Sequence, residues 1–174
     1  MSEYLNEILL SQYEAVLGML HDSLTVCPDA HWDEPVGKYP FWQVAYHTLC
    51  FTDLYLTPDE KQFEPGERHP AGWQEFDDEY PSRRFDRDEL VAYALACRDK
   101  ARTNLAAETP ATLAGPSGHA RRDFSRGELH IYNIRHIQHH TGQLQAFIRR
   151  IGPEFQELGM LKWGRSGWPE NGPI

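Results

Sequence analysis

Two histidines four residues apart, His136 and His140, stand in the segment SRGELHIYNIRHIQHHTGQLQAFIRR, residues 125–150, which holds four of the chain's nine histidines. If the segment is helical, their Cβ atoms lie about 5–6 Å apart on one face. At that spacing two imidazoles can share a metal ion, which is half of an H-x-x-x-H site. The helix is well signalled. Ser125 followed by Glu128 forms a capping box, and Gly142 is the only weak position in the next two dozen residues.

Steps of three and four from Leu129 give Tyr132, His136, His140, Gln143 and Phe147, beside a greasier ridge of Ile134, Ile137, Leu144, Ile148 and Ile151. That is the wide apolar arc of a bundle helix, and it turns the two histidines toward the interior, where an unpartnered polar ring is costly. His130 and His139 fall off this stripe and are weaker candidates. A bare pair of histidines can equally be hydrogen-bonded core or boundary residues. A third ligand decides between the two, and the segment FWQVAYHTLCFTDLYL offers one. There Val44, His47, Phe51 and Leu54 form a stripe in which His47 takes the place of an aliphatic residue. His47, His136 and His140 together make a tri-histidine set.

Three neutral imidazoles suit Zn²⁺, Ni²⁺, Fe²⁺ or Co²⁺ and leave a position for water or substrate. A metal-bound water becomes a usable nucleophile near neutral pH, and a thiol ligand ionises readily. Other chemistries are excluded by residue type. The residue after His136 is Ile137, not the glutamate of an H-E-x-x-H protease. The paired Glu-x-x-His motifs of a di-iron bundle are absent, as are Walker-type and dinucleotide fingerprints. For the partners of the imidazole N–H groups, Asp53, Glu128 and Gln143 are available, and Gln143 alone follows the stripe. Tyr132, one turn before His136, could donate a proton to a bound substrate.

Four helices must position these residues. The first covers residues 3–24, with Leu5, Leu9, Tyr13, Val16, Leu20 and Leu24 on one face; the second covers 40–57. The third, residues 87–108, starts at an Asp86–Glu89 capping signal and turns Leu90, Ala94, Cys97, Ala101 and Leu105 inward. The fourth, residues 126–151, bears the histidine pair. No strand and no internal repeat is expected, so the chain reads as one all-α domain over residues 1–174, a four-helix bundle. Residues 25–39 and 109–120 read as irregular connections. The Pro- and Gly-rich segment 58–85, with Phe63, Trp73, Phe76 and Tyr80, is long enough to fold over an opening of the bundle. For most of its residues, however, the expectation is a surface excursion that the aromatics anchor to the body. The tail after Gly152, with Phe155, Leu158, Met160, Trp163 and Trp168, is expected to wrap the body.

At 174 residues the chain can bury a substantial core. Its net charge of −9, without a Lys/Arg stripe, disfavours nucleic acid as a partner. No apolar run approaches a membrane span. Three scattered cysteines, Cys27, Cys50 and Cys97, without a Cys-x-x-Cys, fit a reducing, cytoplasmic setting.

The stretch RHIQHHTGQLQAFIRR resembles the C-terminal helix signature of the DinB-like (DinB/YfiT) superfamily of metalloenzymes. The resemblance is carried by His136, His140, Gly142-Gln143-Leu144 and Arg149-Arg150, with His47 in the aromatic-rich second helix. It spans about residues 3–151 and departs at Thr141, where an arginine often precedes the glycine. It implies a four-helix bundle of unusual connectivity, one divalent metal (Zn or Ni foremost, with Fe, Co or Mn as alternatives) on the three histidines, and a homodimer. Relatives include S-transferases that use bacillithiol or mycothiol and thiol-linked isomerases. The expected function is therefore metal-dependent thiol S-transfer or hydrolysis on a small molecule, with a low-molecular-weight thiol as a candidate partner. The alternative is a non-catalytic module that a metal stabilises.

Overall fold

The computed structural model describes residues 2–64, 83–152, 163–164 and 166–168. Among the described residues five α-helices follow in order: α1 Ser2–Val26, α2 Phe41–Leu56, α3 Arg87–Ala107, the short α4 Pro110–Ala114, and α5 Arg126–Ile151. The four long ones match the expected segments to within two residues at each end. Two expectations are corrected. The region before α2 is not wholly irregular, because Pro35–Val36 and Tyr39–Pro40 pair as an antiparallel hairpin. Its turn is made by Gly37 at φ 74°, where a side chain would be strained. The connection after α3 holds α4, which Thr109 and Thr112 close with a reciprocal capping box. Of the aromatic segment, Trp73, Phe76 and Tyr80 lie outside the described residues, as do Phe155, Leu158 and Met160 of the tail. The part of the tail that is described docks on the body: Gly167 N–H donates to Ser11 O, and Trp168 packs its ring on His21.

The long helices form a ring in which α1 packs on α3 and α5, and α2 packs on α3 and α5. Their directions follow from side-chain partners. Asn6 reaches Glu108 and Glu14 meets Arg102, so α1 and α3 are antiparallel. Leu49 meets Cys97, Asp53 meets Lys100 and Leu56 meets Asn104, so α2 and α3 are parallel. His47 meets His136, Thr52 meets Asn133 and Leu56 meets Arg126, so α5 runs against α2. A parallel pair needs a crossover. The 16-residue α2 is about 24 Å long, and the link from Leu56 to Arg87 has to travel back that distance.

The core fills the ring with Tyr13, Leu17, Leu20 and Leu24 of α1, Phe41, Tyr46 and Leu49 of α2, Leu90, Cys97 and Leu105 of α3, and Ile137, Leu144 and Ile148 of α5. The expected inner face of α3 is buried at every position. On α1 the stripe is interrupted at its start, where Leu5 is exposed. Helix α2 is buried nearly all round, since the hairpin covers a side that the bundle leaves open. Cys27, Cys50 and Cys97 are buried and not disulfide-bonded. Among the described residues, no helix is long and apolar enough to cross a membrane.

Candidate metal centre

Pro40, extended at φ −62° and ψ 156°, delivers the chain from the hairpin into α2, which sets His47 two turns in, on the side facing α5. Ser125 Oγ accepts from Glu128 N–H and starts α5, so His136 and His140 follow one turn apart. Because α2 and α5 are antiparallel neighbours, the three rings converge. Their centroids are 4.7–5.3 Å apart. One nitrogen from each lies within 4.8 Å of the others, and among the described residues no fourth His, Cys, Asp or Glu joins the group.

The closest pair, His136 Nε2 and His47 Nε2, is 3.3 Å apart. Two nitrogens each about 2.1 Å from one tetrahedral ion stand about 3.4 Å apart, so this pair already has ligand spacing. His140 turns Nδ1 to Gln143, whose Oε1 accepts at 2.9 Å, which leaves Nε2 for the centre. His136 Nδ1 is buried without a protein hydrogen-bond partner. Burial, then repulsion from His136 and His140, pushes the His47 pKa down to about 2. Burial and the neighbouring His140 push His136 to about 3. Burial also lowers His140, although its bond to Gln143 opposes this. All three rings are therefore neutral near pH 7, the state in which an imidazole offers a lone pair to a metal. The residues present fit a divalent ion.

His47 is buried, whereas His136 and His140 are half-buried. The buried line of α5 runs instead through His130, Asn133, Ile137, Thr141, Leu144 and Ile148. The expectation of two inward histidines is corrected accordingly: they sit at the margin of the packed face, accessible from one side. An aromatic wall borders them. Phe51 lies 4.8 Å from the His47 ring, and Tyr55 lies 6.1 Å from His136. Tyr132 leans edge-on against Tyr55 at 5.5 Å.

Other sequence candidates go elsewhere. His139 is exposed. His130, off the stripe by periodicity, is fully buried, with Nδ1 on the Tyr13 hydroxyl at 3.1 Å and Nε2 on Glu108 at 3.2 Å. Asp53 is taken by Lys100 at 2.5 Å and by the Tyr93 hydroxyl at 2.9 Å, so it does not orient a histidine. Glu128 is exposed at the start of α5. Two residues escaped the sequence reading, Arg126 and Arg122. Each looks like a surface cation near a helix start, and nothing in the periodicity marks either.

A family model described as the DinB superfamily matches residues 12–144, which include all three histidines. No curated protein and no solved structure matches the chain. The chain belongs to the DinB superfamily.

Proposed function

We propose that this DinB-superfamily protein is a divalent-metal enzyme acting on a small molecule, as a thiol S-transferase or a hydrolase, with His47, His136 and His140 as the metal ligands. The observation that carries the reading is the incomplete donor set. Structural zinc sites close with four protein ligands, whereas catalytic ones keep three and an open position; here three neutral imidazoles meet and no fourth donor joins them among the described residues. Zn or Ni suits three imidazoles best, and Fe, Co or Mn would also be held. Such an ion, when bound, makes a coordinated thiol or water acidic enough to ionise near neutral pH.

The chain's own groups supply the rest. Gln143 accepts from His140 Nδ1 and so fixes the tautomer that presents Nε2. Phe51 and Tyr55 shield one flank from water. Tyr132, one turn before His136 and edge-on against Tyr55, is the group that would hand a proton to a substrate. Three buried cysteines outside any disulfide support a reducing, cytoplasmic setting. The test offers the metal-loaded protein low-molecular-weight thiols with an aromatic electrophile, and activated esters without thiol. Turnover of one class, lost in His47→Ala, is the expected result. Turnover of neither, with a large fall in Tm on chelation, would favour the metal-stabilised module instead.

For the assembly, the reading is a homodimer through the α1–α5 face. Tyr4, Leu5, Ile8 and Ile131 are exposed there, beside a groove of 760 Å³ that Glu128 and Arg135 also line. A two-fold axis between Ile131 and Tyr132 would set α5 against a second α5, with Glu128 opposite Arg135 of the second copy, as an isologous interface requires. Sedimentation should give the dimer mass for wild type and the monomer mass for Ile131→Glu. A wild-type monomer at micromolar concentration would overturn this.

A further inference from the structure

We propose that Arg122 anchors a negatively charged group, a carboxylate in the first instance, on the small molecule brought to the histidine centre. The inference rests on that centre being a reaction site and names the class of molecule it takes.

Arg122 lies on the link between α4 and α5. Of the arginines that are buried or half-buried among the described residues, Arg87 pairs with Asp29 at 2.7 Å, Arg98 with Asp99 at 2.9 Å and Arg126 with Glu108 at 2.9 Å. Arg122 is the exception and has no carboxylate. Acids are not scarce, since the chain carries 26 against 17 Lys and Arg. Asp59, Glu60 and Asp123 even border the same depression, yet none forms an ion pair with it. A half-buried guanidinium left without a counter-ion holds a charge that a ligand can neutralise.

Its donors are arranged for that. One terminal nitrogen donates to the Tyr55 hydroxyl at 2.6 Å and the other to Arg121 O at 2.9 Å, while Nε is buried without a partner. A guanidinium has five N–H groups, so donors remain. The guanidinium carbon lies against two neighbouring rings, 5.3 Å from Tyr55 and 5.0 Å from Tyr132. The backbone is held as well: Arg122 N–H donates to His119 O, and Ser117 Oγ donates to Arg122 O. Gly118, at φ 83°, seats the loop directly on Pro58 beyond α2, where a Cβ would collide with the Pro58 carbonyl. Such a cation is preorganised and loses little entropy on binding an anion.

The placement links it to the histidines. Tyr55 touches both, with its ring 5.3 Å from the guanidinium carbon and 6.1 Å from the His136 ring. Through Tyr55 the guanidinium carbon lies at most about 11 Å from the His136 ring, which sets the reach required of a small molecule held at the centre. Such a molecule would present its reacting atom at the histidines and its carboxylate at Arg122.

The test uses 3-mercaptopropionate and its neutral amide, titrated by calorimetry into zinc-loaded protein. A charge-assisted pair predicts roughly 10- to 100-fold tighter binding of the acid. Arg122→Gln should reduce the acid to the level of the amide without changing the amide, and Arg122→Lys should retain part of the preference. In metal-free protein the Arg122 Nε–H resonance, assigned by its absence in Arg122→Lys, should move with the acid and not with the amide. Equal affinities in zinc-loaded wild type, with no selective movement of that resonance, would overturn the anchor; the comparison needs no variant to fold. Protein that takes up no zinc but still moves the resonance selectively would sink the metal reading and leave the anchor standing.

Discussion

Wild-type protein purified without chelator should carry about one divalent metal per chain, and His136→Ala should carry none. His136 shares the 3.3 Å approach with His47 and has no protein partner at Nδ1, so its Nε2 is the donor for which the fold provides least else to do. With His136 gone, two nitrogens remain, fewer than the three protein ligands of open zinc sites. His47→Ala and His140→Ala should behave alike. Gln143→Ala should keep the metal but bind it about 10- to 100-fold more weakly, because the His140 ring loses the acceptor that orients it. Helix content should persist in each variant, since the half-buried rings of His136 and His140 leave the core intact and alanine favours a helix. Plasma mass spectrometry on gently purified protein reads the outcome, and wild type that stays metal-free after reconstitution would return the three rings to ordinary packing.

The largest loss of stability is expected at a residue outside that centre. Arg126→Met should cost about 3–5 kcal/mol, the range for breaking a buried charge pair from one side. The Arg126 side chain is 4% exposed and reaches two elements at once. Its guanidinium donates to the carbonyls of Tyr55, Leu56 and Thr57, which close the C-terminal end of α2 and otherwise have no helical partner. It also donates to Glu108 at 2.9 Å. Burial alone would raise the Glu108 pKa, but bonds from His130, Thr112 and Arg126 hold it down to about 2.

For a chain of this size the loss is about 10 °C in Tm. Because the folded value of Glu108 is depressed, its contribution is fully present above the unfolded carboxylate value, about 4.3, and is lost as pH falls toward 2. The gap between wild type and Arg126→Met should therefore narrow across that window. Urea unfolding of metal-free protein at pH 7 and pH 3 reads both effects. A loss under 1 kcal/mol at pH 7 would show that the network does not hold α5 to α2. Glu108→Gln combined with Arg126→Met should cost less than the two single changes together, since they share one network.

What the sequence determined is what depends on neighbours along the chain. The capping residues Asp86 with Glu89, and Ser125, start their helices where the side chains predict. The three- and four-residue spacing of Leu90, Ala94, Cys97, Ala101 and Leu105 gave the inner face of α3, because that period is a property of one helix alone. The i, i+4 relation of His136 and His140 was legible for the same reason, and so was the all-α class.

Tertiary structure decided everything that depends on which helix lies beside which. The parallel pairing of α2 with α3, and the antiparallel pairing of α2 with α5, bring His47 to His136 across 89 positions of chain. No local period encodes that register. Helix α5 packs against both α1 and α2, so its buried arc is rotated from the stripe that the spacing predicts: His130 is sealed against Tyr13 and Glu108 while His136 and His140 stay at the open margin. Arg122 and Arg126 could not be told from surface cations, because their roles come from groups 67 to 71 positions away. Charge and hydrogen bonding act through space, and only the folded chain says which residues share that space.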